Sequence, residues 1–159
     1  MLATQQTITP PVTPPDRRIY AIGDVHGRFD LLKKLLEMIQ EDGASNQRSE
    51  NILVMLGDYI DRGADSKAVI ELLSMPAPDG FDIICLKGNH EEMLLQFLEN
   101  TGHPLVWLKN GGCETLKSYG LDIKALSVSS IPQAAIEQAR TDLRAVFPGS
   151  HMEFLTALD

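Results

Sequence analysis

Three short segments of the sequence combine carboxylate, imidazole, amide and guanidinium groups between glycines. The first, residues 23–27, is Gly-Asp-Val-His-Gly and places the carboxylate of Asp24 two positions before the imidazole of His26. Both groups can ligate one divalent ion if a turn holds them on the same side. Asp and Gly are also ordinary turn residues. Taken alone, this segment is therefore a weak indication of a metal site.

The other two segments add groups that suit a phosphate. Residues 57–63, Gly-Asp-Tyr-Ile-Asp-Arg-Gly, combine two carboxylates with Arg62, whose planar fork of donors fits phosphate oxygens. Residues 88–91, Gly-Asn-His-Glu, offer the amide oxygen of Asn89 as a metal ligand and the imidazole of His90 as a proton donor near neutral pH. Each segment alone could be a helix cap or a turn. Three in succession, each directly after a strand, predict a metal site instead.

The elements around these segments indicate how they meet. An apolar run precedes each one and predicts strands at residues 18–22, 51–56 and 83–86. After each polar segment, apolar residues recur at helical spacing. The first predicted helix is amphipathic and ends at residues 42–43, the second is shorter and covers 66–74, and the third covers 91–99. This alternation predicts a parallel sheet with right-handed crossovers. The three polar segments should then lie at the carboxyl edge of the sheet.

The ends of the chain are less informative. Residues 1–16 are rich in Thr and Pro and predict a poorly ordered leader, with one domain over residues 17–159. Beyond residue 101 we expect short helices at 105–110 and 114–119 and a longer one at 131–146. The widely separated Cys85 and Cys113 predict two reduced, buried thiols rather than a disulfide or a zinc ribbon.

Charge and composition exclude several classes of function. The net charge of −8 disfavours nucleic-acid binding, because the chain lacks a broad cationic surface. The apolar runs are too short to cross a bilayer, so we expect no membrane partner and a cytoplasmic location. Oxygen and imidazole ligands without thiolate favour manganese, with iron and zinc as further options.

The blocks Gly-Asp-x-His-Gly, Gly-Asp-x-x-Asp-Arg-Gly and Gly-Asn-His-Glu resemble the signature of the calcineurin-like metallophosphoesterases over residues 17–99. Residues 107–120 are similar to the bacterial serine/threonine protein phosphatase branch. The resemblance implies an α/β fold, the αββα sandwich of this superfamily, with only the N-terminal βαβαβ part and the following helices present. It implies two divalent metal ions, for which the oxygen and imidazole ligands favour manganese.

The resemblance also implies a role for each site residue. Asp24 and His26 would hold the first metal, Asp58 would bridge both metals, and Asn89 would belong to the second. A water that bridges the metals would attack phosphorus in line.

Three residues would act on the substrate. The resemblance implies that His90 is the general acid, that Asp61 orients it, and that Arg62 clamps the phosphate with help from Asn89 and His90. The expected substrates are phosphoserine and phosphothreonine in phosphoproteins, or small phosphoesters.

Two alternatives stay open. One is a symmetrical diadenosine tetraphosphate hydrolase. The other is a catalytically incomplete metal-binding or interaction fragment, because the family pattern needs two later histidines that the sequence lacks. His103 and His151 are expected to be solvated and not to replace them. An incomplete sandwich would expose apolar sheet surface, so self-association through that sheet is a further expectation.

Overall fold

The computed structural model describes residues 12–14, 16–45, 50–122 and 131–159. The predicted leader, residues 1–16, lies mostly outside these ranges. The chain folds as a mixed α/β protein with three parallel strands in the order β1-β2-β3. The strands are β1 (Arg17–Ile22), β2 (Glu50–Met55) and β3 (Phe81–Cys85). The prediction of a parallel three-strand βαβαβ unit is therefore confirmed.

The helices also follow the predicted order, with small differences at their ends. They are α1 (Phe29–Ala44), α2 (Ser66–Leu73), α3 (Asn89–Glu99), α4 (Pro104–Trp107), α5 (Cys113–Ser118), α6 (Gln133–Val146) and α7 (Gly149–Thr156). A π-helical turn, Leu108–Gly112, joins α4 to α5, so the single helix expected at residues 105–110 is wrong in detail. Helix α3 begins at Asn89, two residues earlier than predicted, which puts Asn89 and His90 in its first turn.

Helices α1 and α2 cover one face of the sheet, as right-handed crossovers require. Leu36 and Ile39 of α1, Leu72 of α2 and the strand residues Leu53 and Ile83 line one apolar cavity between these layers. Strand β2 is central, and alternate residues along it are buried. The packing of α1 and α2 against the strands holds the sheet in place, and the carboxyl edge of this sheet carries the three polar segments.

The other face of the sheet is apolar and partly open. Ile19, Leu56 and Ile84 are each about half exposed there, at 50%, 51% and 45%. The expected self-association through this face stays a prediction. In the segments that the structure describes, no helix has the length and apolar character needed to cross a bilayer.

Candidate metal and phosphate site

The three polar segments meet at the carboxyl edge of the sheet. The backbone N–H groups of Val25 and His26 donate to the carbonyl of Asp58 at 3.0 and 2.9 Å, and Gly27 N–H donates to the carbonyl of Tyr59 at 2.8 Å. The third segment approaches as closely, since a Cβ added to Gly88 would lie 2.2 Å from the Asp58 nitrogen. Only glycine permits this approach. The structure thus brings together segments that are up to 65 residues apart in the chain.

The backbone of these segments is strained at several polar residues. Among the described residues, five non-glycine residues have positive φ, and four of them belong to the site. These four are His26 (45°), Asp58 (56°), Asp61 (72°) and Arg62 (67°). Such conformations cost about 1–3 kcal/mol each and persist only where surrounding contacts impose them. Holding these side chains in place therefore lowers the stability of the fold, and the surrounding contacts must offset that cost.

One group of side chains has the arrangement of a metal site. Ligand atoms of His26, Asp58 and His90 all lie within 4.8 Å of one another. The His26 Nδ1 atom lies 2.9 Å from the carbonyl oxygen of Ile60, to which it donates, so Nε2 keeps its lone pair. Within the described part of the chain, this Nε2 atom is buried and has no hydrogen-bond partner. An orphaned imidazole nitrogen beside a carboxylate fits a divalent cation.

Asp24 and Asn89 lie at the edge of this group. The side chain of Asp24 is 68% exposed, and its Oδ2 atom is 3.5 Å from His26 Nε2. Asn89 is the first residue of α3 and is exposed. The compact set of ligand atoms includes His90, to which the sequence interpretation gave the roles of general acid and phosphate contact but not that of a metal ligand.

His90 lies between Asp61 and Arg62. Its Nδ1 atom is 2.7 Å from Asp61 Oδ2, and both side chains are buried. Its Nε2 atom is 3.3 Å from Arg62 Nη2. A guanidinium only donates, so Nε2 accepts from Arg62 and the ring proton is on Nδ1, facing Asp61. The sequence interpretation expected Asp61 to orient His90, and the structure has a hydrogen bond between the two side chains.

Asp61 has two further partners that sequence reasoning did not find. Thr115 Oγ1 donates to Asp61 Oδ1 at 2.5 Å, and Trp107 Nε1 donates to Asp61 Oδ2 at 2.9 Å. Burial raises the pKa of the Asp61 carboxyl, while the donors Thr115, His90 and Trp107 oppose that rise. In the sequence, Trp107 is only the first residue of the segment that resembles the phosphatase branch; in the structure it is also a core residue, at 1% exposure.

Glu91 ties the second segment to the third. Its carboxylate accepts backbone N–H groups from Asp58, Tyr59 and Gly88 at 2.8, 2.8 and 2.9 Å, and from Ile60 at 3.3 Å. Burial raises its pKa, and the four N–H donors oppose the rise. Sequence reasoning quoted Glu91 in its motif without a role. The sequence signal for a role of Glu91 is its place in the first turn of α3, on the helix face that is buried in the structure.

The sequence profile of the calcineurin-like phosphoesterase family matches residues 17–135, a range that contains all three polar segments. The chain belongs to this family. The predicted resemblance is therefore confirmed.

Individual relatives match the N-terminal part of the chain. Serine/threonine-protein phosphatase 2 of Escherichia coli (strain K12) is 38% identical over 96 residues, which are 60% of this chain and 39% of that protein. The symmetrical bis(5'-nucleosyl)-tetraphosphatase of Dechloromonas aromatica (strain RCB) is 36% identical over 80 residues, which are 50% of this chain and 26% of that protein. A solved structure of a cold-active protein tyrosine phosphatase is 35% identical, covers 52% of this chain and 28% of that one, and has a TM-score of 0.38. The chain thus spans 39% or less of the length of these relatives.

Two expectations about residues outside the site need correction. His151 is buried, at 3% exposure, and its Nδ1 atom is 2.8 Å from the hydroxyl of Tyr119, so the expectation that it is solvated is wrong. His103 is exposed, as predicted. Cys85 and Cys113 are free thiols, as predicted, but both are half-buried rather than buried.

Proposed function

We propose that this chain carries the metal and phosphate site of a metal-dependent phosphoesterase that hydrolyses phosphoserine and phosphothreonine monoesters. The observation that supports it best is the adjacency of a compact donor group, His26, Asp58 and His90, to the guanidinium of Arg62. A cation site beside an anion-binding fork suits a phosphate ester, which must be neutralised before a nucleophile can approach it.

The metal ligands in this proposal are His26 and Asp58, with Asp24 and Asn89 as further ligands. We expect two divalent ions and favour manganese, since the donors are oxygen and imidazole. When bound, such ions polarise the phosphate and lower the pKa of a bound water.

The remaining residues bind the phosphate and move one proton. Arg62 turns from His90 Nε2 to the phosphate oxygens, which its fork of donors matches. That movement frees the Nε2 lone pair to take up a proton from water. The resulting imidazolium, paired with the Asp61 carboxylate at Nδ1, delivers the Nε2 proton to the leaving oxygen and returns to the neutral ring. Asn89 at the start of α3 adds a donor near the phosphate.

Space for the leaving group lies beside Arg62. An open cavity of about 380 Å³ is lined by Arg62, Lys109, Asn110 and Glu114, among others. An open cavity of this size accepts a side chain on a protein or a small aryl alcohol. Phosphoproteins and small phosphoesters are therefore the proposed substrates, and a nucleic acid is not, given the net charge of −8.

The test is manganese-dependent hydrolysis of p-nitrophenyl phosphate by this chain. We expect turnover that His90→Ala reduces by about 10²–10⁴-fold, the usual contribution of a general acid. The matched control is His103→Ala, which removes an exposed histidine and should retain full activity. Bound metal without turnover would replace the proposal with a non-catalytic metal-binding module.

A second candidate is a symmetrical dinucleoside tetraphosphate hydrolase, favoured by the 36% identity to the Dechloromonas aromatica protein. The two substrates should be compared directly by kcat/KM. A higher value for diadenosine tetraphosphate than for a phosphoserine peptide would make this second function the better one.

A further inference from the structure

The Asp61 carboxylate is held from one side by a segment far along the chain. This segment, residues 107–115, runs from the end of α4 through the π-helical turn into α5. Its first residue, Trp107, donates to Asp61 Oδ2, and its last, Thr115, donates to Asp61 Oδ1. Each carboxylate oxygen therefore has a donor from the segment, and Oδ2 accepts a second bond from His90. Residues 107–115 thus supply one donor to each oxygen and fix the orientation of the carboxylate plane.

Thr115 does more than donate to the carboxylate. The backbone N–H of Asp61 donates to its Oγ1 at 3.0 Å and also to Ser66 Oγ at 3.0 Å. The two hydroxyl oxygens are 3.0 Å apart. All three residues are fully buried, so no water competes for these bonds. One hydroxyl thus fixes both the backbone and the side chain of Asp61, whose φ of 72° needs external support.

The same segment holds the neighbouring residue, Arg62. The Gly111 carbonyl accepts the backbone N–H of Arg62 at 3.3 Å. Residues 107–115 therefore touch two consecutive residues of the second polar segment, both with left-handed backbone, across about 50 positions of sequence.

We propose that Thr115 and Trp107 are positioning residues that act on His90 through Asp61. With both donors in place, the Asp61 carboxylate presents Oδ2 to His90 Nδ1 in one orientation, and the imidazole is aligned with the leaving oxygen. Without them, the carboxylate rotates and the ring loses its alignment. Neither residue touches the phosphate, so their loss reduces kcat and leaves KM and metal affinity unchanged. The catalytic part of this inference rests on the proposed function.

The first test compares Thr115→Val with Thr115→Ser. Valine matches the shape of threonine without a hydroxyl, whereas serine keeps the hydroxyl. We expect Thr115→Val to reduce kcat for p-nitrophenyl phosphate by about 10- to 100-fold, in the range found for partners of active-site ligands. KM and manganese affinity should stay within twofold, and Thr115→Ser should retain most of kcat. Equal kcat values in the two variants would overturn the proposal.

A second variant and a second measurement cover the case in which Thr115→Val does not fold. Trp107→Phe removes the Nε1–H donor and leaves a smaller ring in this buried position, which still packs against Phe97, whose ring centroid lies 4.5 Å from that of Trp107. It should lower kcat in the same way.

The chain has one tryptophan, so its indole N–H gives a single resolved signal in a ¹H–¹⁵N spectrum. We expect that signal to be downfield and slow to exchange, and to move in Asp61→Asn.

These measurements separate the two proposals. If the wild-type chain has no turnover, the proposed function fails, and the positioning inference is decided by the spectra alone. In that case, the His90 Nδ1–H signal should persist in Thr115→Ser and broaden in Thr115→Val. An indole signal that is identical in the wild type and Asp61→Asn, or a His90 signal that is identical in both Thr115 variants, would overturn the inference.

Discussion

The Glu91 carboxylate lies 2.8 Å from the backbone nitrogen of Asp58, a residue whose φ of 56° is unusual for an aspartate. The carboxylate also accepts N–H groups from Tyr59, Ile60 and Gly88. It is fully buried, so its bonds are not shared with water. Glu91 therefore holds the backbone of Asp58, and with it the carboxylate that is proposed to share a cation with His26, without being a ligand itself.

Replacing this carboxylate by an amide should loosen the second polar segment. In Glu91→Gln, one side-chain oxygen still accepts, but the new NH₂ group faces backbone donors. We expect the free energy of unfolding to fall by about 3 kcal/mol, since hydrogen bonds to a buried charged acceptor are worth about 1.5–3 kcal/mol each. Urea unfolding followed by far-UV circular dichroism measures this change. The control is Glu92→Gln, at the exposed neighbouring position, and equal stability of both variants would contradict the role of Glu91.

Metal affinity should distinguish Asp58 from Arg62. Asp58→Asn removes a carboxylate from the compact donor group, whereas Arg62 is the proposed phosphate-binding residue, and its contact with that group in the described part of the chain is the one between Nη2 and His90 Nε2. We expect manganese affinity to fall at least 10-fold in Asp58→Asn and to stay within twofold in Arg62→Ala. Isothermal titration calorimetry measures both. Asp65→Asn, at an exposed aspartate, is the matched control, and equal losses in the Asp58 and Arg62 variants would contradict the assignment.

A glycine in residues 107–115 should prove necessary for the position of Arg62. Gly111 has a φ of 109°, and a Cβ there would lie 2.4 Å from the Arg62 nitrogen. Gly111→Ala should therefore weaken the binding of inorganic phosphate, measured as competitive inhibition, about 10-fold, because Arg62 is displaced. Gly120→Ala is a matched control, since Gly120 also has positive φ, at 85°, but nothing lies within 4 Å of an added Cβ. It should show only the strain of about 1–2 kcal/mol, measured as a lower free energy of unfolding.

The parts of the fold that local patterns encode were predictable. Apolar runs that stop at a glycine and a polar residue gave the three strands, and their alternation with helical spacing gave the parallel order. The partners of Asp61 were not predictable, because Trp107 and Thr115 lie 46 and 54 residues away and nothing near them in sequence indicates a contact. The role of Glu91 could not be predicted from the sequence for a different reason. An acidic residue in the first turn of a helix is ordinary, and only its burial shows that it binds the neighbouring loop.

His151 provides a prediction about pH. Its ring is buried in a cluster with Tyr119 and Phe147, and its Nδ1 atom is hydrogen-bonded to the Tyr119 hydroxyl at 2.8 Å. Burial lowers the pKa of His151, Lys67 lowers it further, and Glu71 opposes the change. The folded pKa is thus below that of the unfolded chain, about 6.5. As pH falls, the unfolded chain binds the proton first.

The contribution of His151 to stability is therefore complete above pH of about 6.5 and is lost as pH falls through the folded pKa. We expect the free energy of unfolding, measured with urea at several values between pH 8 and pH 5, to decrease towards acid in the wild type. His151→Gln, which cannot titrate, should show a smaller decrease over the same interval. His103→Gln removes an exposed histidine and should keep the wild-type slope. If His151→Gln and the wild type have the same slope, His151 does not titrate as its buried contacts require.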